Sequence, residues 1–217
     1  MRHALTLALW VLAAPAVAET SDAEGDPWCD DIAPGEAGGV TCFLPFDTDL
    51  LYFLYEETGE PAVWNLRFTQ FGFDFSTRAE SDPIRVEYVM TAPELRDVTD
   101  DGIAELFIPV MSGMVNITWS VWTTTGSGIF VPVGEISGIA VDALEVRDGL
   151  IVSATRDNAA VWTETGTRIW PTGMDDIYSL SVNHADRTCE IIAARELASV
   201  GLNKDLLIDR CEARDWD

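Results

Sequence analysis

The sequence predicts an all-β chain: a small β-propeller of four or five blades, with a β-sandwich as the alternative. Three observations carry this. From Gly39 onward short apolar runs rich in Val, Ile, Phe, Tyr and Trp are broken by turn residues. No segment of the middle region keeps a helical 3.6-residue period. Three stretches repeat an aromatic-x-x-Thr-Gly turn followed by a second apolar arm: YEETGEPAVW (55–64), VWTTTGSGIFV (121–131) and VWTETGTRIW (161–170). Gly126 and Gly166 of the last two, and the Asp101-Gly102 and Asp148-Gly149 turns before them, set a period of about 40–47 residues, the size of a four-stranded blade.

Taken in order, the chain opens MRHALTLALWVLAAPAVAET. A basic head (Arg2, His3), an apolar core from Leu5 to Ala14 and small residues at Ala16 and Ala18 form a signal peptide, residues 1–18, cut near Ala18. The apolar run is too short to span a bilayer. The protein is therefore expected to be exported, periplasmic or secreted. Residues 19–38 are acidic with Gly and Pro and read as an extended arm; residues 39–217 form a single all-β domain. Within it VTCFLPF (40–46), DLLYFLY (49–55), AVWNLRF (62–68), IRVEYVM (84–90) and ITWSVW (117–122) are strands. Phe71, Phe73 and Phe75 alternate and read as one buried face.

Four cysteines in an exported chain read as two disulfides. Of three connectivities, Cys29–Cys42 and Cys189–Cys211 are preferred, each pair being local. Between Cys189 and Cys211, residues 190–199 could be helical, but a disulfide-linked hairpin with its turn at Gly201–Lys204 fits equally well and is taken as the C-terminal element. Zinc is disfavoured, since there is no C-x-x-C and only His184 remains after the leader.

The formal net charge is −24, with Lys204 the one lysine. Such a chain repels nucleic acid and anionic membranes and attracts cations and basic proteins. A soluble monomer is expected.

RDVTDDGIAELFIPV (96–110) crowds Asp97, Asp100, Asp101 and Glu105 around Gly102. Counting from Asp97, oxygens fall at Asp97, Thr99, Asp101, the Ile103 carbonyl and Glu105, alternate groups of a tight loop that could converge on Ca²⁺. The spacing resembles the D-x-[DN]-x-D-G-x-x-[DE] calcium loop of FG-GAP and VCBS-type propeller repeats. Thr99 departs from the usual Asn or Asp. The resemblance is close over 97–109 and loose to Trp170. It implies one structural Ca²⁺ held by Asp97, Thr99, Asp101, Ile103 and Glu105, and kinship with small secreted bacterial propeller proteins, some of which inhibit peptidoglycan hydrolases. The corresponding stretch VRDGLIVSATRD (146–157) has lost the aspartates before its glycine other than Asp148 and reads as an ordinary turn.

Enzyme chemistry finds little footing. There is no G-x-S-x-G elbow, phosphate loop or dinucleotide fingerprint, and His184 reads as a loop residue. Acidic pairs (Asp175-Asp176, Asp100-Asp101, Glu56-Glu57) could serve glycoside hydrolysis, but among 37 acidic residues they read first as solvated turns. Trp119 and Trp162 read as core; Trp122 and Trp170 complete a set that could stack on sugars. The expected function is a non-catalytic, calcium-stabilised binding protein whose basic partner could be a cell-wall hydrolase, with Asp175 and Asp176 entering its cleft. The alternatives are a carboxylate-based glycan hydrolase and a structural envelope protein.

Overall fold

The computed structural model describes residues 25–216. The predicted signal peptide (1–18) and residues 19–24 of the predicted arm lie outside them. Strands account for 51% of the structure and helices for 10%, so the β class holds. The first sheet comprises β1 (Cys42–Phe46), β2 (Asp49–Glu57), β3 (Val63–Phe71), β4 (Thr77–Glu80), β5 (Ile84–Glu87), β6 (Glu94–Arg96), β7 (Glu105–Ser112), β8 (Ile117–Thr124) and β9 (Phe130–Gly138). Its order is β1-β2-β3-β5-β7-β8-β9, with β4 beside β3 and β6 beside β7. The second is a plain antiparallel meander: β10 (Glu145–Arg147), β11 (Leu150–Arg156), β12 (Val161–Trp170), β13 (Gly173–Asn183) and β14 (Thr188–Ala194). A helix, α1 (Lys204–Glu212), follows.

Period-two patterning builds these strands. In β2, Leu51, Phe53 and Tyr55 are buried while their neighbours face outward. Leu66 and Phe68 of β3, Leu106 and Ile108 of β7 and Trp122 of β8 complete that core. β9 packs against β11 and β13, where Phe107, Trp119, Val121 and Ile136 of the first sheet meet Ile151 of the second. Among the described residues no closed barrel or propeller is detected.

Both disulfides form as expected, Cys29–Cys42 and Cys189–Cys211. The bridges point to an oxidising compartment. No helix among the described residues is long and apolar enough to cross a membrane.

Three sequence expectations are corrected. The C-terminal element is not a hairpin. β14 is its only strand, and the second arm is α1, capped by the Asn203 side chain, which accepts the Leu206 N–H at 2.9 Å. Asp205 in its first turn and Arg210 in its last complement the helix dipole. The third member of the Thr-Gly repeat is not a turn. Gly59 and Gly126 lie in connections between strands, whereas Gly166 sits inside β12 beside a bulge, where a Cβ would stand 2.2 Å from the Tyr178 ring. Phe73 and Phe75 are not buried: they lie in the β3–β4 connection and are 87% and 76% exposed.

Candidate functional site

The acidic loop links β6 to β7, as the sequence suggests, with Asp100 and Gly102 in left-handed conformations. Its carboxylates face the loop's own donors. Asp97 accepts the N–H groups of Asp101 (3.3 Å) and Gly102 (2.8 Å), and Asp101 accepts that of Ile103 (2.8 Å). Glu105 is buried and accepts the Val98 N–H at 3.0 Å and the Thr99 hydroxyl at 3.2 Å. Burial raises the Glu105 carboxyl above its ordinary range, against the pull of those two hydrogen bonds. Among the described residues no three acidic, imidazole or thiol groups stand together as a metal cage. As arranged, the Asp97, Asp101 and Glu105 carboxylates accept the loop's own N–H and hydroxyl donors, and the Ile103 side chain is half exposed.

Asp175 and Asp176 lie at the exposed end of β13 and, as neighbours on a strand, point to opposite faces. Asp175 accepts the Trp170 indole N–H at 2.8 Å and Asp176 the Thr167 hydroxyl at 2.7 Å. They do not form a joint carboxylate pair. Trp119 and Trp122 are both buried, Trp162 is half-buried, and Trp170 is exposed with the Arg168 guanidinium 4.8 Å above its ring. No four-tryptophan platform results. His184 packs between Trp162 and Trp216, with ring centroids 5.6 Å from each.

Sequence reasoning missed a cleft of about 560 Å³ where the arm, the first sheet and the connector between the sheets meet. The Cys29–Cys42 bridge ties the arm to β1 and sets Asp30 at its rim. The Arg96 guanidinium donates to the Val141 carbonyl, to the Asp142 carboxylate at 3.3 Å and to the Leu144 carbonyl at 3.4 Å, fixing the connector. Ile117 and Trp119 of β8 supply apolar wall. Glu94, at the start of β6, is half-buried between them. Burial pushes its carboxyl up to about 7; the Asp142 charge adds to this, Arg96 opposes it, and Asp30 contributes a smaller rise. Two donors of the lining, the Trp119 indole N–H and the Thr91 hydroxyl, are buried without a hydrogen-bond partner among the described residues. Asp30, Glu94 and Asp142 are remote in sequence; only the tertiary fold brings them together, and no spacing rule could have found them.

A second concavity, of about 690 Å³, lies where α1 meets the second sheet. Its charges answer one another. Buried Glu164 accepts from Arg147 (3.4 Å), Arg214 (3.2 Å) and the Tyr178 hydroxyl (3.2 Å), and Arg210 pairs with Asp148. This cluster fastens α1 to the sheet and leaves no unmatched charge for a ligand. Comparison of the chain with family models, curated proteins and solved structures finds no match.

Proposed function

We propose that this is an exported, non-catalytic binding protein whose partner is basic. One observation supports it above the rest: the apolar-walled cleft beside the first sheet is rimmed by Asp30, Glu94 and Asp142, while Arg96, the cation beside them, is already engaged with the connector. A chain of net charge −24 steers positively charged proteins toward such a cleft. Lysozyme-type cell-wall hydrolases are among the basic proteins that an exported protein meets, and residues 97–109 resemble the calcium loops of small secreted propeller proteins, some of which inhibit such hydrolases; this puts one first. The propeller reading goes with this proposal: β6–β9 and β10–β14 are runs of four and five strands, the size of a blade. Calcium belongs to the proposal only through the 97–105 loop, where Asp97, Thr99, Asp101, the Ile103 carbonyl and Glu105 would hold it once their side chains converge.

The test is titration of a purified lysozyme-type hydrolase with this protein at low and at physiological salt. Stoichiometric loss of peptidoglycan hydrolysis, weakening as salt rises, is the expected result. Absence of binding at low salt would remove the hydrolase as partner.

A second reading draws on one specific feature. A carboxyl raised to about 7 beside two other carboxylates is also what a glycosidase's general acid needs. It predicts that the chain itself hydrolyses a glycan and that Glu94→Gln abolishes this. Lack of activity on peptidoglycan and a polysaccharide panel would dismiss it.

A further inference from the structure

The cleft does not end at its rim. Gly35, next to Pro34 of the lining, donates its N–H to the Met90 carbonyl at 2.6 Å, and Met90 precedes Thr91, also in the lining. The Met90 N–H donates to the Ser112 hydroxyl at 3.3 Å, and Met111 lies in register with Glu87 across the parallel bridge between β5 and β7. Ser112 pairs with Ile117, a wall residue of the cleft, and the β7–β8 turn between them carries Met114 and Val115. Tyr88, Met90, Met111, Met114 and Val115 are all exposed, Met114 fully. Three of the chain's five methionines thus crowd one shoulder beside the cleft. Tyr88 is held in a left-handed conformation (φ 52°), its N–H donating to the Ala62 carbonyl at 2.9 Å. A bulky aromatic rarely adopts that conformation, and the surrounding backbone holds it outward.

The geometry points to a single docking surface on this face: the cleft receives a lysine or arginine side chain of a basic protein, and the methionine–tyrosine shoulder packs against apolar side chains flanking it. This inference rests on the binding-protein reading above and names its surface.

Four features select that occupant. The apolar walls suit the methylene stem of a long cationic side chain, and the carboxylates at the rim suit its head. Three acidic groups disfavour any anion. A neutral glycan would leave Glu94 desolvated without a counter-charge. The partnerless Trp119 N–H and Thr91 hydroxyl are donors, and a peptide carrying the cationic side chain also brings carbonyl acceptors. Exposed methionines adapt to a partner's shape, and an apolar patch beside a desolvated charged anchor has the make-up of an interface hot spot. The groups facing Glu94 are Asp142 and Asp30, which repel its charge, and Arg96, which favours it. Protonation of Glu94 removes one negative charge from the cleft, so affinity for a cation rises with pH.

The test uses the disulfide-intact full chain and two six-residue peptides, one with a central arginine flanked by leucines, the other with citrulline in its place. Backbone amide shift mapping with the arginine peptide is expected to move signals at 30–35, 88–94, 111–119 and 139–142. Affinity is expected to be ~10-fold above that of the citrulline peptide, to fall ~10-fold in Glu94→Gln, and to fall several-fold in a Met111→Ser/Met114→Ser variant. Equal affinity for the citrulline peptide, or shifts confined to residues 168–176 or to the Glu164 cluster, overturns the inference. The purified hydrolase separates the two proposals. Hydrolase binding unchanged by Glu94→Gln overturns the cleft assignment and leaves the binding-protein reading. Peptide binding in the cleft with no hydrolase bound upholds the cleft and removes the hydrolase as partner.

Discussion

Replacing Glu94 by glutamine should make the protein more stable at pH 8 and leave it unchanged at pH 4.5. Glu94 ordinarily titrates near 4.5 and here is raised to about 7, chiefly by burial and then by Asp142. The folded chain therefore holds this proton more tightly than the unfolded chain does. Between roughly pH 4.5 and 7 the native state binds more protons, and its stability falls as pH rises through that window. Above it the full cost of a charged, partly desolvated Glu94 remains. The raised value corresponds to at most about 3 kcal/mol. Glu94 retains partial access to water, and solvent screening brings this down to about 1–2 kcal/mol. Glutamine keeps the size and removes the charge, so Glu94→Gln should gain that amount at pH 8, or ~3–6 °C in Tm for a chain of this length. Thermal unfolding with both disulfides intact, at pH 4.5 and pH 8, measures it. Glu105, also raised by burial, contributes equally to wild type and variant and cancels. A Tm unchanged at pH 8, or raised equally at both pH values, would refute the electrostatic account of the cleft.

Other perturbations test the rest of the structure. Gly166→Ala should cost about 2–3 kcal/mol in denaturant unfolding, because its Cβ would strike the buried Tyr178 ring at 2.2 Å; a neutral result would mean that β12 and β13 are not in the observed register. Glu164→Gln should cost about 2 kcal/mol, as Arg147 and Arg214 lose their charged acceptor. Cys189→Ser/Cys211→Ser opens a 22-residue link and should cost about 3 kcal/mol, with hydrogen-exchange protection lost first in α1. Thermal unfolding curves in excess Ca²⁺ and in EDTA should coincide, and Asp97→Ala should lower both by about 1 kcal/mol as the Asp101 and Gly102 N–H groups lose their acceptor. A calcium-dependent rise abolished by Asp101→Ala would instead show that the loop rearranges into a cage.

What the sequence discloses follows the range of the interaction concerned. The runs at 49–55 and 62–68 are strands because their side chains alternate, a local property; the first falls inside β2, and the second lies in β3 from Val63 onward. The two disulfides were legible because each closes a short segment. α1 was missed although its signals are local: Asn203 at the cap, Asp205 and Arg210 at matching ends. The period-two look of DLLIDRC hid them. Gly166 misled because a Thr-Gly pair has the chemistry of a turn, whereas here glycine makes room for a ring from the adjacent strand. Phe73 and Phe75 alternate as a strand would, but Gly72 donates to the Ser76 carbonyl at 2.9 Å and closes a turn around them. The cleft was illegible for a different reason. It depends on four separate segments meeting at the junction of two sheets, and no one of them carries a motif.

The convergence of Asp30, Glu94 and Asp142 has no stabilising role in the isolated chain. Charge repulsion and burial both oppose ionised Glu94, and its one opposing cation, Arg96, spends its donors on Val141, Asp142 and Leu144. Contrast Glu164, more deeply buried, which accepts from two arginines and a tyrosine hydroxyl. One chain therefore contains both a carboxylate neutralised from within and a carboxylate whose nearby cation is shared with other acceptors. The first kind stabilises a fold. The second weakens it until a cation arrives, and burial of that cation would return the energy as affinity, which is why the same substitution that raises the Tm at pH 8 should lower binding of an arginine peptide.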